Sequence, residues 1–289
     1  MSAHACEPTA VDDDGLGPIQ WPDGARCAVM LSFDFDAETL WTARDPANAQ
    51  RLGTLSQGVY GAQVGIPKIL ETLRDAAVPA TFFVPGWTAE HHRDKVVRIL
   101  AAGHEVGHHG HLHLRIDPEQ PEREREEFAR GLQALQATVG VQPLGYRSPG
   151  WEVSALTMTV LQEHGLLYDS SMMDHVHPYR HTLPDGRRGP IELPVHWSLD
   201  DAPLALFSVR APKTIVTNAH LLQLWQDEFR EIYRWGGLFN LTMHPQVIGR
   251  PSRIALLREF IGWLRGFPGV WFARGADIAT AWAQQEARS

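Results

Sequence analysis

Apolar residues along this chain fall into short runs, and between the runs they recur at helical spacing. Cys27-Ala-Val-Met-Leu-Ser-Phe-Asp-Phe-Asp36 is an apolar run that turns alternating, the pattern of a buried strand ending in acidic residues. A loop over 44–61 follows. Ile66, Ile69, Leu70, Leu73, Ala76 and Ala77 share one helical face, and Ala80-Thr-Phe-Phe-Val84 after Pro79 predicts the second strand. Val96, Val97, Leu100 and Ala101 mark another helix, 103–107 a short strand, and 118–138 a charged helix entered through Asp117-Pro118. The alternation continues through 145–147, 153–164, 166–169 and 191–195. It closes with helix 219–235, strand 238–243, helix 252–264, strand 270–273 and helix 277–285. Strands alternating with helices of this length predict a parallel sheet, and so many units favour a closed or nearly closed α/β barrel.

Composition narrows the function. With 289 residues, 44% of them hydrophobic, the chain has room for a sizeable core and is not disordered. Its 26 Lys+Arg against 34 Asp+Glu give a formal net charge of -8 without a basic stripe, which argues against a nucleic-acid or anionic-membrane partner. A small or neutral substrate is expected. The first twenty residues lack a basic region followed by an apolar one, and the longest apolar runs are broken by Pro and Gly. Only Cys6 and Cys27 occur. A cytoplasmic protein without a disulfide framework is therefore the expectation. Residues 1–22 read as a flexible N-terminal arm and 23–289 as one barrel domain.

The unusual entry is histidine, with 15 residues, five of them between His104 and His113 and three between His175 and His181. Asp34, Asp36 and Glu38 end the first predicted strand, His108 to His113 follow the third, Arg147 the fourth, and His244 a late one. In a parallel barrel those ends meet on one face. The phosphate-cradling glycine motifs of nucleotide enzymes are absent. His104 with His108, and His109 with His113, stand four apart, the spacing at which two imidazoles share one helical face and one ion. With one carboxylate from Asp34 or Asp36, either pair makes a site for Zn²⁺ or another first-row divalent metal. Alternation places Asp34, Asp36 and Glu38 on one face, an accumulation of like charge that calls for a cation. A solvated loop is the plainer reading for Glu38. His91, His92, His164, His181 and His220 read as ordinary surface or core residues, and Asp174 to Gly186 as a surface loop or lid, so a second site at His175, His177 and His181 has little support.

Four segments carry a resemblance: Ser32-Phe-Asp-Phe-Asp-Ala-Glu38, Gly103-His-Glu-Val-Gly-His-His-Gly-His-Leu-His113, Tyr146-Arg-Ser-Pro-Gly-Trp151 and Leu241-Thr-Met-His-Pro245. In order and spacing they resemble successive motifs of the polysaccharide deacetylase (NodB-homology) superfamily, across most of residues 25–275. Trp21-Pro-Asp-Gly-Ala-Arg26 and His244 to Ser252 are similar to a subgroup of peptidoglycan-deacetylase-like proteins, cyclic imide hydrolases and allantoinase-like enzymes. The resemblance implies a distorted (β/α) barrel of about seven parallel strands. It implies a divalent metal, zinc first and Co, Fe or Ni as alternatives, on Asp36, His109 and His113. Asp34 becomes the general base, Arg147 its orienting partner, His244 the general acid, and Trp151 a wall of the substrate groove.

Two departures stand out. Phe35 separates the two aspartates that are adjacent in the family, with Glu38 following, so Glu38 is a second candidate for the base or for substrate contact. The aspartate that tethers the acid histidine has no clear copy, and 193–201 occupies the comparable stretch. The implied chemistry is hydrolysis of a non-peptide carbon–nitrogen bond, with backbone amides around Tyr146 to Gly150 helping to hold substrate and oxyanion. The substrate is an N-acetylated amino sugar or, alternatively, a small cyclic imide or ureide opened at one carbonyl. Arg250, opening the helix after His244, is placed to reach a substrate carboxylate. A carbohydrate-binding barrel without catalysis is a third reading, disfavoured by the intact set of metal ligands and proton carriers. Relatives of the subgroup imply a homo-oligomer, often a tetramer.

Overall fold

Nine strands form one curled sheet among the residues that the computed structural model describes, 19–209, 212 and 214–288. They are β1 (Cys27–Asp34), β2 (Thr81–Val84), β3 (Glu105–His108), β4 (Gly145–Tyr146), β5 (Tyr168–Asp169), β6 (Tyr179–Thr182), β7 (Arg188–Glu192), β8 (Leu238–Met243) and β9 (Val270–Phe272). The order is β6-β7-β5-β4-β3-β2-β1-β8, with β9 against the start of β1. Every pairing is parallel except β6 with β7. Past β7 the chain returns to β8: Asn240 Nδ2 donates to the carbonyls of Leu193 (3.3 Å) and Pro194 (3.1 Å), and Asp200 bridges Thr242. The result is the expected distorted (β/α) barrel.

β1 shows how the sequence makes the site. All eight of its residues are buried, so both faces need apolar side chains for most of its length. Cys27, Val29, Leu31 and Phe33 face the outer helices, packing with Ile66, Ile69, Phe229 and Phe260. Ala28 and Met30 face the barrel interior with Phe83, Tyr168 and Ile191. Each large side chain removed from water in this way stabilises the fold by about 1.5–3 kcal/mol. Ser32 and Asp34 continue the inner face, and there the interior turns polar.

Two stretches depart from the sequence reading. Residues 44–61, expected as a loop, contain a short 3₁₀ turn (Pro46–Gln50), a helix (Leu52–Tyr60) and a π-turn (Gly61–Gly65) that runs into the helix Ile66–Ala76. Four glycines hid this helical stretch, since glycine is a poor helix former. Tertiary contact requires at least two of them. A Cβ on Gly58 would lie 2.5 Å from the carbonyl carbon of Ala37, and one on Gly65 would collide with the carbonyl of Pro245. Segment 174–186 is not simply a loop or lid, because it carries the edge strand β6, anchored where Arg180 pairs with Glu286 (2.7 Å) over the Trp282 ring.

Helix boundaries also shift. The charged helix begins at Pro121, because Asp117 first closes a turn by accepting the amide of Glu119. The helix expected over 153–164 starts at Thr157, with Ser154 Oγ accepting the amide of Leu156. Most of the expected arm, residues 1–18, lies outside the described residues. Trp21 is buried, its indole donating to the carbonyl of Gly236 at 2.8 Å. Among the described residues no helix is long and apolar enough to cross a membrane.

Candidate active site and metal centre

At the C-terminal end of β1, Asp34 Oδ1 accepts a hydrogen bond from Arg147 Nη1 at 2.8 Å. The guanidinium, fully buried, also donates to Ser32 Oγ, to the carbonyl and hydroxyl of Ser170 and to Asn240 Oδ1, and lies 4.2 Å above the Phe83 ring. A buried cation so fully engaged is held in one geometry, and with it the aspartate it bonds. β1 then stops. Ala37 takes a left-handed conformation (φ 51°), and the Asp36 carbonyl is clamped by the hydroxyls of Thr39 (2.6 Å) and Thr88 (2.9 Å). Glu38 is thereby turned away from its two neighbours and pairs with His92 Nε2 at 2.8 Å. The strand alternation expected to align all three carboxylates ends too early.

The histidine cluster is not helical either. β3 ends at His108, and a turn with left-handed Gly110 (φ 72°) and His113 (φ 59°) brings the rings of His109 and His113 to 4.9 Å. Spacing alone left two pairs open, and the turn selects one. His104 lies at the other end of β3, and His108 is buried behind it, donating from Nε2 to the carbonyl of Phe128 at 2.9 Å.

The fit of this set to a divalent cation rests on Asp36. Both of its carboxylate oxygens are buried without a hydrogen-bond partner among the described residues, a costly state for an ionised group. Oδ1 faces Nε2 of His109 at 3.5 Å and Nε2 of His113 at 3.6 Å. His109 Nδ1 lies 2.6 Å from the carbonyl of Arg147, so that nitrogen carries the proton and Nε2 presents a lone pair. Burial pushes the His113 imidazole down to about 4 against the pull of Asp36, which leaves it neutral at pH 7. Burial alone would raise the Asp36 carboxyl, but the imidazoles of His113, His109 and His244 outweigh it and hold the group below the usual carboxylate range. A carboxylate held ionised beside two imidazoles suits a first-row divalent metal.

His244 follows β8 on the opposite side. Its Nε2 lies 3.8 Å from Asp36 Oδ2, while Nδ1 donates to Asp201 Oδ1 at 2.8 Å and Asp200 Oδ1 lies at 3.5 Å. Both oxygens of Asp201 also accept the His244 amide, at 3.1 Å each. Asp201 is the tether that sequence reading did not name; the signal was the adjacent acidic pair ahead of the His244 strand. Burial pulls the His244 pKa down, but Asp200, Asp201 and Asp36 together raise it well above that of a free imidazole.

These groups open onto a cleft of about 600 Å³ lined by Asp34, His109, His113, Asp200 and His244. Trp151 forms part of its wall as expected, stacked on Trp197 at 4.3 Å. Three residues expected to contact substrate lie away from this cleft. The Tyr146 ring is buried between His108 and Phe128, Arg250 lies 3.7 Å over the Tyr60 ring, and Glu38 is paired with His92. None of the three lines the cleft. Within the turn expected to help hold an oxyanion, the amides of Arg147 and Ser148 are already bonded, to the His108 carbonyl and Ser171 Oγ. His181 does not gather with His175 and His177; it bonds Glu192 Oε2 at 2.8 Å, beside Asp169.

The profile of the polysaccharide deacetylase family matches residues 58–168. A Mycobacterium smegmatis protein assigned to the polysaccharide deacetylases is 42% identical, with a TM-score of 0.90, over 97% of this chain and 96% of that one. A peptidoglycan deacetylase of Helicobacter pylori is 29% identical over 90% of this chain and 97% of its own length. The structure of an allantoinase, 24% identical, superposes with a TM-score of 0.78 over 92% of this chain and 93% of that one, a likeness of fold.

Proposed function

Because the chain belongs to the polysaccharide deacetylase family, hydrolases of carbon–nitrogen bonds other than peptide bonds that generally depend on a divalent metal, we propose that it removes the acetyl group from an N-acetylated amino sugar. The observation that carries this reading is the convergence of Asp34, His109, His113 and His244 on one cleft, with Asp36 buried beneath it and partnerless between two imidazoles.

Asp36, His109 and His113 would hold the metal, zinc in the first instance. When bound, the ion supplies Lewis acidity, polarising the amide carbonyl and lowering the pKa of water. The remaining work falls to the chain. Asp34 has Oδ1 engaged by Arg147, so Oδ2, 3.9 Å from His109 Nε2, is the oxygen that takes the proton of the attacking water. As the carbon–nitrogen bond breaks, His244 Nε2 donates a proton to the departing nitrogen. Asp201 and Asp200 keep that imidazole charged and aimed. Water is consumed and acetate and a free amine are formed.

The Helicobacter pylori relative is a peptidoglycan deacetylase, which makes N-acetylated cell-wall glycans and their fragments the substrates to test first. Ring-opening of a small cyclic imide or ureide is a second reading, favoured by the apolar cleft wall of Leu40, Ala43, Pro203 and Leu206, which offers little to sugar hydroxyls. Zinc-loaded protein is offered N-acetylglucosamine oligomers and, separately, succinimide, hydantoin and allantoin. Acetate release that disappears in Asp34→Asn supports the deacetylase. Ring opening without acetate release replaces it with the second reading.

A further inference from the structure

The peptide group between Arg147 and Ser148 is gripped at both ends. Its carbonyl accepts the Nδ1 proton of His109 at 2.6 Å, and its N–H donates to Ser171 Oγ at 2.9 Å. A peptide group is planar, so fixing the direction of the N–H fixes the direction of the carbonyl opposite. Ser171 in turn donates to Asp169 Oδ1 at 2.8 Å, which turns the hydroxyl proton away and leaves an oxygen lone pair for the Ser148 amide.

We propose that Ser171, oriented by Asp169, is a positioning residue for His109: it sets the plane of the Arg147–Ser148 peptide and thereby the tautomer and aim of the imidazole. This rests on the reading of His109 as a metal ligand.

The frame around Ser171 is built for that task. Asp169 ends β5, opposite Tyr146 on one side and Glu192 on the other. Glu192 Oε1 accepts the amides of Ser171 (2.9 Å) and Met172 (3.0 Å), so the backbone that carries the hydroxyl is itself held. Ser171, Asp169 and Glu192 are fully buried, out of reach of solvent that could replace a lost bond. The neighbouring Ser170 receives the Arg147 guanidinium. Adjacent serines therefore hold the two functional ends of residue 147, Ser170 the side chain that orients Asp34 and Ser171 the main chain that orients His109.

Removing the hydroxyl leaves the Ser148 N–H buried without an acceptor, and the peptide relieves this by rotating, which misdirects the carbonyl. Loss of a group hydrogen-bonded directly to a metal ligand typically weakens metal affinity about 10- to 100-fold, and Ser171 acts on His109 through that group, one hydrogen bond further out. The test is Co²⁺ and Zn²⁺ titration of metal-free wild type, Ser171→Ala, Ser171→Thr and Asp36→Asn, with thermal midpoints of the metal-free proteins alongside. Ser171→Ala should bind about 10-fold more weakly than wild type, the low end of that range, and Ser171→Thr, which keeps the hydroxyl, should recover most of that loss. If Ser171→Ala does not fold, Ser171→Cys, with a weak acceptor of similar size, should shift affinity in the same direction. A Ser171→Ala protein that loses thermal stability but binds metal within twofold of wild type overturns the proposal and leaves the metal centre standing. Wild type that binds no better than Asp36→Asn overturns the metal centre and this proposal with it.

Discussion

His109 Nδ1 lies 2.6 Å from the main-chain oxygen of Arg147, whose guanidinium, at the other end of the same residue, holds Asp34 at 2.8 Å. One residue thus holds His109, the proposed metal ligand, through its backbone and Asp34, the proposed base, through its side chain. Arg147→Lys separates the two. It keeps the carbonyl and loses the planar fork, so metal affinity should stay within a few-fold of wild type. Turnover should fall about 10- to 100-fold, the scale of a lost hydrogen bond to a charged group. Metal titration and steady-state kinetics on the same preparation check both halves.

Asp201 bonds the His244 imidazole at Nδ1 and, with Asp200 and Asp36, raises its pKa against the pull of burial. Asp201→Asn removes one of the three carboxylates that raise the imidazole, so the His244 pKa must fall. Because the acid must carry a proton, the alkaline limb of the pH–rate profile should move to lower pH, with Asp36-dependent metal binding preserved. His244→Ala should lower kcat by about 10²- to 10⁴-fold at full metal content. An unmoved alkaline limb in Asp201→Asn would mean that another group sets it.

Stability should carry its own pH signature. Burial pushes the fully buried His108 imidazole down to about 3, whereas in the unfolded chain it titrates near 6.5. Between those values the unfolded state binds the extra proton, so the contribution is complete above about pH 6.5 and is lost as pH falls, at up to about 1.4 kcal/mol per unit. His108→Gln keeps a donor for the Phe128 carbonyl and cannot titrate. Urea unfolding at pH 7.5 and 5.5 should show a smaller loss in this variant than in wild type.

The backbone around Asp36 depends on a helix distant in sequence. Gly58 packs where a Cβ would stand 2.5 Å from the Ala37 carbonyl carbon. Gly58→Ala must displace the Ala37–Glu38 peptide, at a cost of about 1–3 kcal/mol. A lowered thermal midpoint together with weakened metal binding is expected. Gly53→Ala, where nothing lies within 4 Å of the new carbon, should do neither.

Eight of the nine strands and the acidic residues after β1 are legible in the sequence because burial of both sheet faces leaves continuous apolar runs, and their polar ends mark one rim of the barrel; β6, a half-exposed edge strand, leaves no such run. His109 and His113 were legible as members of a cluster. Their pairing was not, since it depends on a left-handed turn at Gly110 and His113 rather than on helical spacing. Residues 44–61 carry the signals of a loop because glycine marks flexibility locally, while Gly58, and Gly65 just beyond, mark close approach to Ala37 and Pro245. Asp201 and Ser171 carry no distinguishing signal in the sequence because each acts through a contact across strands, and nothing in the local pattern of either segment encodes its partner.

The central claim is that Asp36 holds the metal while Asp34, two residues away, takes the proton. The direct measurement is bound zinc per chain and turnover for Asp34→Asn and Asp36→Asn side by side. Asp34→Asn should keep about one zinc and lose turnover by about 10²-fold or more, whereas Asp36→Asn should lose both. Full zinc in Asp36→Asn, or zinc lost from Asp34→Asn instead, would contradict the account.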